Sequence, residues 1–405
     1  MNPRPPNKSL PFSEFVTLMA LMMSMVALSI DAMLPALPDI GRDLGAADAN
    51  DVQLVVALIF LGMALGQLFY GPLSDSIGRK PAVTLGIGIF ALGCLCSLLA
   101  VNFQMMLIGR ILQGVGLGAP RVVSVALIRD EYAGHAMARV MSFVMTIFIL
   151  VPMVAPMVGQ GVLLVAGWRA IFLVILVMGL SVLCWFQWRQ PETLVPEKRL
   201  PFSLAQIGAA VREILSHRVA LGYTLVAGFT SSAFLAYLSS VQQVLALQYG
   251  LGDLFPIVFA ALALAIGSAS YVNGRMVMRF GMQLICRQSL IVLCLVSVAY
   301  GGVAYHWAGH PPLWSLLCYF IAILFCTGLL FGNNNALAME PLGHIAGIGA
   351  AVVGSLSTLV SVPLGISIGR AYEGSVMPLI AGFAGCSFAS LLLVSWIESQ
   401  RSLKG

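Results

Sequence analysis

The sequence predicts an all-α membrane protein, with twelve transmembrane helices arranged as two six-helix bundles. Three observations predict it. First, 60% of the 405 residues are hydrophobic and 9% are charged, whereas about a quarter of a soluble domain is charged; the mean hydropathy is +0.96. Second, apolar runs of about 20 residues, long enough to cross a bilayer, recur at 15–38, 52–73, 82–101, 104–127, 140–166, 168–188, 219–248, 254–276, 283–306, 312–338, 346–371 and 375–397. Third, the one substantial polar stretch, Arg189 to Arg218, falls between the sixth and seventh runs.

The first run, Phe15 to Leu37, is too long for a signal-peptide core and is followed by no small-residue cleavage site, so it is expected to stay in the membrane. It carries Asp31, and its Pro35 and Pro38 lack the amide donors of a continuous helix and should bend it. The second and third runs are joined by Tyr70-Gly-Pro-Leu-Ser-Asp-Ser-Ile-Gly-Arg-Lys80. There Gly71 and Gly78 permit a tight turn and close helix approach, Asp75 and Arg79 can pair and cap helix ends, and Lys80 adds a second cation. This loop is expected to act as a gate. The fourth run holds Arg110, in Gly109-Arg-Ile-Leu-Gln-Gly-Val-Gly116, and Arg121, in Gly118-Ala-Pro-Arg121. The fifth holds Val151-Pro-Met-Val-Ala-Pro-Met-Val-Gly159, with Pro152, Pro156 and Gly159 punctuating it.

After the sixth run come Pro191, Pro196 and Pro201, then an amphipathic Phe202–Leu215 segment suited to lie on the membrane face. The expected organisation is therefore a bundle over 1–188, a linker over 189–218 and a second bundle over 219–405. The halves bear traces of duplication: Gly71 and Gly78 recur as Gly274 and Gly281, and Gly134-His135 recurs as Gly343-His344.

Positive charge sets the orientation, because Lys and Arg are retained on the cytoplasmic side. Sixteen of the 21 lie on the side of the N-terminus: Arg4, Lys8, Arg79, Lys80, Arg129, Arg139, Arg189, Lys198, Arg199, Arg212, Arg218, Arg275, Arg279, Arg287, Arg401 and Lys404. Only Arg42, Arg169 and Arg370 lie on the other. Both termini are thus expected in the cytoplasm, and the net charge of +5 reports topology without need of a nucleic-acid partner. The eight cysteines all fall in apolar runs and read as small apolar residues; no Cys/His metal-ligand spacing is present.

A charge in hydrocarbon costs at least about 2.5–3.5 kcal/mol, so the intramembrane charges point to function. Asp31 and Arg110 fall at similar depth on oppositely directed helices and are expected to face one another across a cavity. Burial disfavours a carboxylate and a nearby guanidinium favours it, so such a pair suits proton coupling, with a cationic or polar solute competing for Asp31. Alternatively, Asp31 caps a broken helix end and Arg110 ties helices together. Arg121 either meets solute or snorkels to the headgroups, and Glu340, beside Pro341 at a helix end, reads as an interfacial carboxylate in preference to a coupling group. Asn333-Asn-Asn335 is a polar cluster able to bond solute or neighbouring helices; Asn333, Asn334 and Tyr237 are the expected substrate contacts. Met22, Met25, Met145 and Phe331 line an adaptable cavity or, more commonly at helical spacing, are packing.

Gly71, Asp75, Gly78, Arg79 and Lys80 resemble the signature between the second and third helices of the major facilitator superfamily. Arg110-Ile-Leu-Gln-Gly-Val-Gly116 is similar to the helix 4 motif of its proton-coupled members, and Val151–Gly159 to the helix 5 motif of its exporters, though Val151-Pro152 stands where that motif begins with glycine. With Asp31–Pro38 and Glu340–Gly347, the resemblance is to the Bcr/CflA branch of drug:proton antiporters. It implies two bundles with a substrate site between them near the midplane. It also implies alternating-access export of drugs or amphipathic small molecules from a bacterial cytoplasm, driven by protons through Asp31 and Arg110, by a monomer embedded in lipid. An exporter or importer of one metabolite is the alternative. An enzyme is not expected, since no catalytic constellation appears.

Overall fold

A computed structural model describes residues 10–399, the side chain of Ala138 excepted; Arg4, Lys8, Arg401 and Lys404, which enter the charge asymmetry, lie outside the described residues. Among those residues, ten continuous helices are long and apolar enough to cross a membrane. Two of them, Gly134–Arg189 and Leu313–Arg370, are 56 and 58 residues long, about twice a bilayer span. Each is broken inside. Gly167 leaves the helix at φ 76, ψ 174, and a 3₁₀ stretch, Glu340–Ile345, interrupts the other at Leu342. Each break turns one long helix into a pair, which gives twelve spans.

They are α1 (Phe12–Asp31), α2 (Leu54–Ile77), α3 (Arg79–Leu98), α4 (Phe103–Glu131), α5 (134–166), α6 (168–189), α7 (Arg218–Gln242), α8 (Phe255–Phe280), α9 (Met282–His306), α10 (Leu313–Met339), α11 (Ala346–Arg370) and α12 (Met377–Glu398). Large apolar side chains such as Leu92, Leu164, Leu295 and Leu392 stand exposed on their outer faces, as a lipid-facing surface requires. The linker holds an amphipathic helix, Leu204–Ser216, with Ile207, Ala210 and Ile214 buried.

Helix packing repeats between halves. In the first, α4 packs on α2 and α3, α1 on the α5–α6 arm, and α3 on that arm too; in the second, α10 packs on α8 and α9, α7 on α11, and α9 on α12. The halves meet through α2 against α11 and α5 against α8, contacts that exchange when each helix is advanced by six. Gly78 (φ 108) and Gly281 (φ 78) are the matched one-residue breaks between α2 and α3 and between α8 and α9, where a side chain would be strained. In the first half the helices approach to backbone contact: a Cβ on Gly114 would run into the Ile59 carbonyl, and one on Gly62 into that of Ile111.

Two local expectations are corrected. The Gly71–Lys80 stretch is no open loop, because α2 runs through Pro72 to Ile77 and α3 starts at Arg79. Helix α1 does not bend onward to Pro38; it stops at Asp31, and a turn leads into a 3₁₀ segment, Leu34–Ala36, and a short helix, Leu37–Leu44.

Candidate functional site

A cavity of about 370 Å³ lies between the halves, walled by α1, α2, α4, α5, α7, α8, α10 and α11. Its walls are mostly apolar and aromatic. Tyr237 stacks on Phe259 with 6.5 Å between centroids and meets Phe320 edge-on at 5.3 Å, while Phe234 meets Phe331 edge-on at 5.2 Å. Asp31 and Arg121 are the two charged residues lining it. Asp31 ends α1 and is 4% exposed; among the described residues no donor lies within hydrogen-bond distance of its carboxylate. Arg121 opens to the cavity and is exposed.

Arg110 is elsewhere. It is fully buried and donates to the Val55 carbonyl (2.7 Å), to Gln113 Oε1 (2.8 Å) and to the Ser29 carbonyl (3.0 Å), with the Phe172 ring 5.9 Å away. The expected face-to-face pair of Asp31 and Arg110 is therefore not formed. Arg110 instead fastens α1 two residues before Asp31 and holds it to α2. Gln113 extends the network to Ser97 Oγ and the Gly93 carbonyl.

The asparagine cluster divides. Asn333 exchanges amide hydrogen bonds with Asn273 and donates to the Leu329 carbonyl; Asn334 accepts from Cys286 Sγ at 3.3 Å and donates to Thr230 Oγ1 at 3.5 Å. Both are buried between helices, and neither lines the cavity, contrary to their expected substrate role. Successive helical residues point about 100° apart, and the third, Asn335, is the one that lines it. Tyr237 and Phe331 line it, whereas Met22 and Met25 are fully buried packing. Pro152 is a wall residue. Pro156 is buried, and a Cβ on Gly159 would run into the Ala32 carbonyl, so the fifth-helix motif presses against the chain just beyond Asp31.

At the Gly78 end, Arg79 is 3% exposed and pairs with Asp75 (2.6 Å) and Asp130 (2.9 Å). It also donates to Ser74 Oγ. Glu192 of the linker accepts from the amides of Arg79 and Lys80, 2.9 Å each, and Lys80 Nζ donates to the Gln187 carbonyl. The motif thus joins α2, α3, α4, α6 and the linker. Sequence reasoning missed Asp130 and Glu192; adjacent Arg79 and Lys80 with a single local acid were the signal that more anions must converge.

The opposite end ties the halves together. Gln53 Nε2 donates to Gln243 Oε1 (2.6 Å) and the Gly369 carbonyl (3.1 Å). Gln243 Nε2 donates to the Ala49 carbonyl and Asn50 Oδ1, each at 3.1 Å. Asn50 Nδ2 donates to the Arg370 and Tyr372 carbonyls, and Arg370 pairs with Asp51. Apart from Arg370, counted in the charge asymmetry, none of these was singled out from sequence, although polar residues at the ends of apolar runs mark the places. The Tyr372 hydroxyl joins this network by donating to the Gln243 carbonyl (3.5 Å) and also donates to Gln248 Oε1 (3.2 Å), and partial burial raises its pKa.

Comparison with known proteins agrees with this architecture. The family model of the Major Facilitator Superfamily matches residues 19–365. The chain is 33% identical to an uncharacterized MFS-type transporter, YdgK, of Bacillus subtilis over 90% of this chain and 92% of that one. It is 28% identical to a bicyclomycin resistance protein homolog of Haemophilus influenzae over 96% and 97%. The crystal structure of the human organic anion transporter MFSD10 (TETRAN) superposes with a TM-score of 0.72 at 17% identity, covering 95% of this chain and all of that one.

Proposed function

The chain belongs to the Major Facilitator Superfamily, and from that premise we propose that it exports drugs or other amphipathic small molecules across a bacterial inner membrane in exchange for protons. The observation that carries the reading is Asp31: a carboxylate with no hydrogen-bond donor among the described residues, at the wall of an aromatic cavity between the halves. A lone acid there is costly when charged and is relieved either by a proton or by a solute donor or cation. Competition between the two is exchange. The bicyclomycin resistance name of the Haemophilus relative supports a drug as cargo.

The halves, 1–188 and 219–405, work as two bodies that rock about the cavity within one monomer. The Gly78 end, rich in Lys and Arg, is cytoplasmic with both termini, and the Gln53–Gln243 tie closes the outer end. Arg110 acts as a positioning residue, holding α1 by the Ser29 carbonyl. Arg79 and its acids brace the inner end. Neither a bound cofactor nor nucleic acid enters the cycle.

The test is proton movement in liposomes holding purified protein, followed with an internal pH dye as amphipathic drugs, bicyclomycin among them, are added. Wild type should move protons on drug addition, and Asp31→Asn should not. Equal movement in the variant would remove Asp31 from coupling, and silence of the wild type towards every drug would overturn drug export in favour of a single-metabolite carrier.

A further inference from the structure

We propose that the cavity selects amphipathic zwitterions, with a cationic or hydrogen-bond-donating group set against Asp31, an aromatic body between the rings, and an anionic group such as a carboxylate against Arg121; this rests on the export reading above. The cavity wall carries one charge of each sign. Among the described residues, neither Asp31 nor Arg121 has an ion-pair or hydrogen-bond partner, so the two are held apart and do not neutralise one another. Arg110, on the same helix, is the contrast: each of its three guanidinium nitrogens donates to an acceptor.

Arg121 is not explained by snorkelling. It lies ten residues before the end of α4 at Glu131, about 15 Å along the axis, so its exposure comes from the cavity. A guanidinium there repels a purely cationic solute and offers a planar fork of donors that matches a carboxylate. Its surroundings suit the wetter end of a bound molecule. The backbone of Gly118 abuts that of Gln67, which brings the Gln67 amide within a turn of Arg121, and Gln67 and Asn335 both line the cavity. Phe148, Phe234, Tyr237 and Phe331 line the same cavity, with Phe234 against both Tyr237 and Phe331, and these rings would take a flat apolar body. An acid, an aromatic sleeve and a guanidinium in one cavity are the complement of a molecule that carries a cation and an anion across a ring system.

The experiment compares export of a piperazinyl quinolone carboxylic acid with that of its methyl ester, which keeps the ring system and the cation but lacks the anion. Wild type, Arg121→Gln and Arg121→Lys are assayed in the same liposomes. The expected result is a KM for the acid raised about ten- to a hundredfold in Arg121→Gln, the worth of one charge-assisted hydrogen bond, with the ester unchanged and partial recovery in Arg121→Lys. An equal loss for acid and ester, or none for either, would overturn the proposal, as would a wild type that exports only the ester. Failure of the wild type to export either compound strikes the export reading itself.

Discussion

Replacing Gln53 with alanine tests whether the outer tie holds the halves together. The wild-type side chain donates two hydrogen bonds across the interface, to Gln243 Oε1 and to the Gly369 carbonyl, and it is 2% exposed, so water does not compete for them. At about 1 kcal/mol net for each bond, their loss costs about 2 kcal/mol of closed state. Part of this is offset, because Gln53 Oε1 is itself buried without a partner and its removal relieves that penalty. A net change of about 1–2 kcal/mol shifts the ratio of outward-closed to outward-open protein by about 5- to 30-fold. Spin labels on cysteines replacing Ala47 and Glu373, exposed on opposite halves at this end, report the separation in a background freed of native cysteines. Gln53→Ala should enlarge the long-distance population, and Gln243→Ala, which also loses the Ala49 and Asn50 bonds, should do the same, the double variant falling short of the sum because the Gln53–Gln243 bond is shared. An unchanged distance distribution in Gln53→Ala would refute the reasoning.

Arg79→Ala should lower the thermal unfolding midpoint in detergent, with a loss of about 2–3 kcal/mol, below the usual cost of breaking a buried pair because Asp75 and Asp130 keep partial access to water; Arg79→Lys should recover part of it. Gly114→Ala forces a methyl into the Ile59 carbonyl and should cost about 1–3 kcal/mol as overpacking, whereas Gly161→Ala meets open space and should leave the midpoint unchanged. Asn333→Ala should destabilise the protein by breaking the Asn273 pair while leaving the KM of an exported drug unaltered, and Asn335→Ala should alter KM with little effect on the midpoint.

The span boundaries were legible where backbone chemistry marks them. Runs ending at 166 and beginning again at 168 coincide with the left-handed Gly167, and Gly78 and Gly281 break helices at corresponding places in the two halves. The abrupt end of α1 at Asp31 was not legible, because Pro35 and Pro38 are compatible with either a bend or a stop. The outer tie was invisible for another reason. Gln53 and Gln243 are 190 residues apart, and no local pattern announces a bond that forms only when two bundles close on each other.

The charged residues show where periodicity runs out. Arg110 and Arg121 are eleven residues apart, about three turns plus 20°, so an ideal α4 points both the same way, and nothing in spacing distinguishes them. What separates them is what covers that face at each depth. Near Arg110 the Ser29 and Val55 carbonyls close over it and accept its hydrogen bonds; three turns on, beyond Pro120, the halves part and Arg121 meets the cavity. Depth arithmetic put Asp31 and Arg110 on one level, but it fixes height along a helix and not direction around the bundle axis. The acid looks into the cavity, and the arginine at its height looks into the bundle. A single helix face therefore serves two ends: its outer part fastens α1 behind Asp31, and its inner part presents a guanidinium with no partner among the described residues to whatever occupies the space between the halves.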